Sequence, residues 1–181
     1  DESDITKDVQ GNAPGNTGLS PYPVTIDTPC ITFNGTSDYA EQSDTLAASS
    51  WTISAWVKKT NSGNIYFVGT EATGFKSIGL FNTSLMLHDG SNVILLNAFY
   101  FVPLSTWTHV AVKHDGSGNF TGYVNGLVSG TGSGNGWSLS KIKLGTRSDG
   151  FTNLQGSMGG VKVHLVAKSD AEVLAMFRGY D

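Results

Sequence analysis

Four glutamates (Glu2, Glu41, Glu71, Glu172) and four histidines (His88, His109, His114, His164) are the side chains through which this sequence could do acid–base or metal chemistry. Retaining cleavage of a glycosidic bond needs two carboxyl groups about 5–5.5 Å apart. A strand face supplies that only as a cluster of the Glu-x-Asp-x-x-Glu kind. Glu41 and Glu71 have no acidic residue two or four positions away, and Glu2 lies close to the first residue. The histidines fall on separate segments rather than at the close spacing of zinc ligands. His109 and His114 are an odd number of residues apart, so a regular strand points them to opposite faces. All four read as surface or turn histidines. No Gly-x-Ser-x-Gly elbow is present to expose a nucleophile. The run from Gly130 to Gly136 lacks a lysine and a following helix, which excludes a phosphate loop. It reads as a long flexible loop ending at Trp137. A ring there can stack on a sugar or fill a partner's pocket, or fold back on a sheet edge. Trp137 and Tyr39 are therefore the candidate ligand-binding residues, and no catalytic residue is named. The chemistry expected is that of a non-enzyme.

The elements that must carry these side chains are announced by composition. Charged residues make up 14%, and 23 residues are glycine, against a usual charged share of about 25%. Few charges and many glycines imply many tight turns and little surface helix. The 11 Lys and Arg are scattered apart from Lys58-Lys59, and the net charge is −4. Nucleic-acid binding wants a basic stripe that displaces counterions from phosphates, so no nucleic-acid partner is expected. No apolar run approaches the ~18 residues of a membrane span, and no membrane insertion is expected. Cys30 is the only cysteine; it cannot form an internal disulfide and reads as a small buried hydrophobe.

Residues 1–29 differ from the rest. They hold four of the five prolines (Pro14, Pro21, Pro23, Pro29) together with Gly11, Gly15 and Gly18. Proline lacks a donor and glycine loses the most entropy on ordering, so such a stretch sustains neither ladder nor helix. It reads as an extended arm, 1–29, ahead of a domain at 30–181. The arm either lies along its own domain or docks on a neighbouring subunit, with Leu19, Tyr22 and Val24 as apolar anchors.

From Cys30 onward, short strands alternate with turn signals about ten residues apart, the pattern of an antiparallel sandwich or barrel. Trp51 to Val57 and Trp107 to Val112 alternate with period two, which puts Val110 and Val112 on one face and His109 on the other. Asn125-Gly126 between apolar runs predicts a type I′ hairpin, because both central residues need positive φ. Asp89-Gly90 separates a second pair. Val161 to Leu165 predicts a strand with its valines inward. Ser169 with Glu172 forms a capping box, and Gly179 stops the one short helix.

Five segments occur in a telling order: Phe33-Asn34-Gly35-Thr36-Ser37-Asp38-Tyr39, Trp51-Thr52-Ile53-Ser54-Ala55-Trp56-Val57-Lys58, Trp107-Thr108-His109-Val110-Ala111-Val112, Tyr123-Val124-Asn125-Gly126 and Gly156-Ser157-Met158. Over residues 30 to 178 the chain resembles the laminin G-like branch of the concanavalin A-like lectin/glucanase superfamily. The resemblance implies an all-β fold, an antiparallel jelly-roll sandwich with a short C-terminal helix behind the arm. It implies that Trp51 and Trp107, at the mouths of strands, cap the core between the sheets. It also implies a calcium site in some members, for which Asp38 holds the matching early position. Here Met158 is followed by Gly159 and Gly160 where a second carboxylate would stand, so calcium is not favoured and no other cofactor is expected.

Function is expected to be that of a structural interaction module on the outside of an assembly: a phage-type virion decoration, cement or fibre protein, or a surface adhesion domain. Its partners would be other protein subunits and its place extracellular or on a particle surface. The alternative is a lectin-like module for surface glycans. A glycoside hydrolase is the weakest of the three.

Overall fold

The computed structural model describes residues 30–41, 46–70, 75–96, 98–147 and 149–180. The expected arm with Leu19, Tyr22 and Val24 lies outside the described residues, as does Glu71.

Twelve strands form two antiparallel sheets of six. The first sheet runs β1 (Cys30–Asn34), β12 (Gln155–His164), β3 (Trp51–Lys59), β8 (Thr108–His114), β9 (Asn119–Val124), β10 (Leu127–Ser133). The second runs β2 (Ala40–Glu41), β11 (Lys143–Leu144), β4 (Ile65–Gly69), β5 (Ser77–Phe81), β6 (Ser84–His88), β7 (Val93–Leu95). Helix α1 (Asp170–Arg178) follows β12 and packs on the outer face of the first sheet. We call these the helix-side sheet and the open sheet.

Period two decides what is buried between them. Ile53, Ala55, Val57, Val110 and Val112 meet Val68, Ile78, Leu80, Leu85 and Leu87 in one core, each buried Val, Leu or Ile side chain worth about 1.5–3 kcal/mol. Trp51 closes one end of it, donating from Nε1 to the Trp137 carbonyl at 2.9 Å. Val161 and Val163 pack on the same core, as their alternation required. The Asn125-Gly126 turn takes φ of 51° and 76°, as a type I′ hairpin demands. The capping box between Ser169 and Glu172 is closed in both directions, and Gly179 ends the helix at φ 78°.

Four expectations are corrected. Trp107 does not cap the core between the sheets: it shares the parity of His109 and packs outside, on Trp56. Cys30 is exposed, because β1 is an edge strand among the described residues and contributes only Phe33 to the core. The glycine run is not a free loop, since Gly130 and Gly132 lie in β10 opposite Gly122 and Phe120. A Cβ on Gly132 would overlap the Ile94 methyl, and one on Gly122 would come within 2.6 Å of Leu96, so glycine lets β10 close on β7. His109 and His114 do point to opposite faces, but both are buried rather than at the surface. His114 stacks on Phe120 at 4.7 Å, while His109 meets Trp56 at 5.5 Å.

Candidate functional site

The two outer faces differ in what covers them. On the helix-side sheet, Trp56, His109 and Tyr123 point outward and are buried beneath α1 by Val173 and Phe177. On the open sheet no helix among the described residues intervenes, and strand register sets the outward residues in two rows, of which Tyr66, Ser77 and Met86 are themselves buried. One row reads Glu41, Lys143, Gly69, Ser77, His88, Val93 across all six strands. The other reads Tyr66, Gly79, Met86, Leu95. Between them Leu144, Val68, Ile78, Leu87 and Ile94 face the core. A bulge between Tyr66 and Val68 turns both Phe67 and Val68 inward and so leaves Tyr66 and Gly69 outward.

Small residues in the middle of this face leave room for a second layer of side chains. Tyr66 lies across Gly79, its Cδ1 2.9 Å from where a Cβ would stand. The Arg147 guanidinium sits 5.7 Å from the Tyr66 ring centre and 4.9 Å from that of Phe75. Phe75 in turn meets His88 edge-on at 6.4 Å. Asp149 holds the guanidinium in place, accepting from Nε at 2.7 Å and from Nη2 at 2.5 Å. A fork paired this way is fixed in plane as well as position.

Charge at the site follows from these contacts. Burial pushes the Asp149 carboxyl upward, but its bonds to Arg147 and to the Phe151 N–H outweigh that and hold it below the usual carboxylate range. Tyr66 is pushed upward by burial, with Arg147 opposing. At neutral pH the cluster is therefore a guanidinium–carboxylate pair framed by neutral rings. Phe75 adopts a φ of 56°, a conformation costly for a bulky residue, and keeps its ring 43% exposed. Phe151 is 68% exposed just beyond Asp149. Exposed ring faces beside a fixed fork of donors and acceptors match a ligand that has apolar faces and hydroxyl edges. Asp149, committed to Arg147, is not placed to act as a general acid.

The residues named from sequence are scattered. Tyr39 is 56% exposed, at the far edge of the open sheet, with the Lys143 ammonium 5.4 Å from its ring centre. Trp137 is corrected as a binding platform: it is 1% exposed. Its ring packs edge-on against Trp51 at 4.9 Å and donates to the Thr70 hydroxyl at 2.6 Å. The Asp38 carboxylate closes a turn, accepting from Asn34 N at 3.0 Å and Nδ2 at 2.9 Å. Among the described residues no three His, Cys, Asp or Glu side chains come together as metal ligands. Tyr66, Phe75, Arg147 and Asp149 were not singled out in the sequence. The available signal was Arg147-x-Asp149 in a turn, a spacing at which a fork can close on a carboxylate.

The concanavalin A-like lectin/glucanases superfamily model matches residues 34–174. No curated protein matches. Among solved structures, a heptameric SAP-like pentraxin from Limulus polyphemus superposes with TM-score 0.69 at 18% identity, covering 82% of this chain and 81% of that one. Domain 4 of an extracellular arabinanase from Geobacillus stearothermophilus, solved with arabinotriose, gives 0.58 at 19%, covering 82% and 87%. The ligand-binding domain of botulinum neurotoxin serotype D, solved with N-acetylneuraminic acid, gives 0.60 at 11%, covering 80% of this chain and 41% of that one. At such identities the likeness is one of fold. No helix among the described residues is long and apolar enough to cross a membrane.

Proposed function

The chain belongs to the concanavalin A-like lectin/glucanase superfamily, and from that premise we propose that it is a non-enzymatic, lectin-like module that binds a glycan on the outer face of the open sheet. The observation that carries this is the Arg147 guanidinium held by Asp149 between the Tyr66 and Phe75 rings. A pyranose or furanose offers one apolar face for Phe75 or Phe151, while its hydroxyls can bond the guanidinium, the carboxylate and the His88 imidazole. The sugars bound in the similar arabinanase and neurotoxin domains support a saccharide as the ligand class. Such a module works outside the cell or on a particle surface. A glycan array probed with the full chain should give saccharide hits that the Arg147→Ala and Phe75→Ala chains lose. Array hits unchanged in both variants would refute the site, and turnover of the bound saccharide would refute a non-enzymatic role.

A second reading is favoured by one rim of the molecule, where Phe99 and Phe101 are 73% and 59% exposed. In this reading the chain is a subunit of an outward-facing assembly, such as a virion decoration, cement or fibre protein or a surface adhesion domain. Residues 1–29 are then the means of docking on neighbours. Self-association or incorporation that persists when Leu19, Tyr22 and Val24 are all replaced by aspartate would count against the arm's part in it.

A further inference from the structure

An asparagine followed by glycine can react with its own backbone, because no Cβ on the glycine shields the nitrogen that attacks the side-chain amide. The chain has three such pairs, Asn34-Gly35, Asn125-Gly126 and Asn135-Gly136, and the fold treats them differently.

Two are locked. Asn34 Oδ1 accepts from the Thr36, Ser37 and Asp38 N–H groups at 2.8, 2.9 and 3.2 Å. Its Nδ2 donates to the Ser37 hydroxyl at 3.1 Å and to the Asp38 carboxylate at 2.9 Å. With both ends of the amide held, its carbon cannot turn toward Gly35. Asn125 Oδ1 accepts from His109 N at 3.1 Å. Gly126 is buried beneath α1, where a Cβ would lie 2.9 Å from Leu174 Cδ1 and from Phe177 Cβ.

The third pair is open. Asn135 and Gly136 are both exposed. Among the described residues neither the Asn135 amide nor the Gly136 N–H has a hydrogen-bond partner. The turn is held by the atoms on either side: Asn135 N donates to Asp89 Oδ2 at 2.8 Å, and Gly136 O accepts from Lys76 Nζ at 3.1 Å. A Cβ on Gly136 would meet nothing within 4 Å, so the Asn135 side chain has room to swing onto the nitrogen.

We propose that Asn135 is a site of spontaneous modification, converting to aspartate and isoaspartate while Asn34 and Asn125 persist. Gly136 N loses its proton and bonds to Asn135 Cγ; the Cγ–Nδ2 bond breaks, ammonia leaves, and a succinimide ring remains. Water then opens the ring. Cleavage at Cγ gives aspartate, and cleavage at the main-chain carbon gives isoaspartate, whose backbone runs through Cβ and is one atom longer. No oxidant or reductant takes part. Either product places a second carboxylate beside that of Asp89, which is buried. The added backbone atom falls between Asn135 N–H, fixed on Asp89, and Trp137, fixed on Thr70 and Trp51. Like charge and slack between two anchors should lower the midpoint of unfolding.

The test is peptide mapping by mass spectrometry of the full chain aged in mildly alkaline buffer. Asn135 should be modified at least about tenfold faster than Asn34 or Asn125. A held amide reacts only when its turn opens, and tenfold corresponds to an opening cost of about 1.4 kcal/mol. Isoaspartate should appear at position 135, since direct hydrolysis of the amide would yield aspartate alone. In urea, where the turns are lost, the three rates should converge. Gly136 has φ outside the left-handed region, so Gly136→Ala should keep the unfolding midpoint and suppress the modification. Equal rates at the three pairs in the folded chain, a preference for Asn135 that persists in urea, or an unchanged rate in Gly136→Ala would each overturn the proposal.

Discussion

The helix-side sheet and the open sheet share one core and one strand pattern, yet their outer faces have opposite characters. On the helix side, outward polar groups are spent on holding α1: the Tyr123 hydroxyl donates to Asp170 at 2.6 Å and the Lys113 ammonium to the same carboxylate at 2.9 Å. Thr52 links this face to the segment before the helix, donating to Val166 O at 3.1 Å and accepting from Lys168 N at 2.9 Å. On the open side the corresponding groups hold each other. Arg147 and Asp149 form a pair beside the exposed Phe75 ring and the buried Tyr66 ring. A face whose polar groups are used up by a neighbouring element is scaffold. A face whose polar groups are fixed but still reachable is available for a ligand.

Substitutions should separate the two faces, with the largest effect on the helix side. Trp56→Ala removes a ring 2% exposed between His109 and Phe177 and should cost about 3–5 kcal/mol in urea unfolding. Phe75→Ala, on the open face, should change stability by no more than about 0.5 kcal/mol while abolishing glycan binding. Equal destabilisation by both would mean that the two faces do not differ in this way.

Acid should act next, and again on the helix. The Glu172 carboxyl is brought down to about 2 by the Ser169 N–H, by Lys168 and by the Ser169 hydroxyl. Because its folded value lies below its ordinary 4.5, its contribution is complete above that pH and fades as pH falls toward 2. Far-UV circular dichroism should show a helix loss over that window, and Glu172→Gln should flatten the pH dependence. The smallest effect belongs to the exposed edge: Cys30→Ser should leave the midpoint of unfolding within about 0.5 kcal/mol of wild type.

Much of the fold was legible because its signals are local. The alternation in β3 and β8, the Asn125-Gly126 turn and the capping box each depend on side chains a few positions apart. The misplaced residues depended on partners far along the chain. Trp137 is buried because Trp51 and Thr70 receive it, and Gly132 is a strand residue because Ile94 occupies the space of its missing side chain. The site cluster was hidden for two reasons. The bulge at Tyr66 breaks the period that would have marked it as outward, and Phe75, Arg147 and Asp149 come from segments outside the strands, gathered only by the sheet beneath them.

The proposed site puts the ligand on the open face and not on the helix face. It is tested most directly by titrating isotopically labelled full chain with an array-identified oligosaccharide and following chemical shifts residue by residue. Binding there should concentrate shifts at Tyr66, Phe75, His88, Arg147 and Phe151 and leave Trp56, Tyr123 and Val173 unmoved. Shifts centred on α1, or on the Phe99–Leu104 rim, would contradict it.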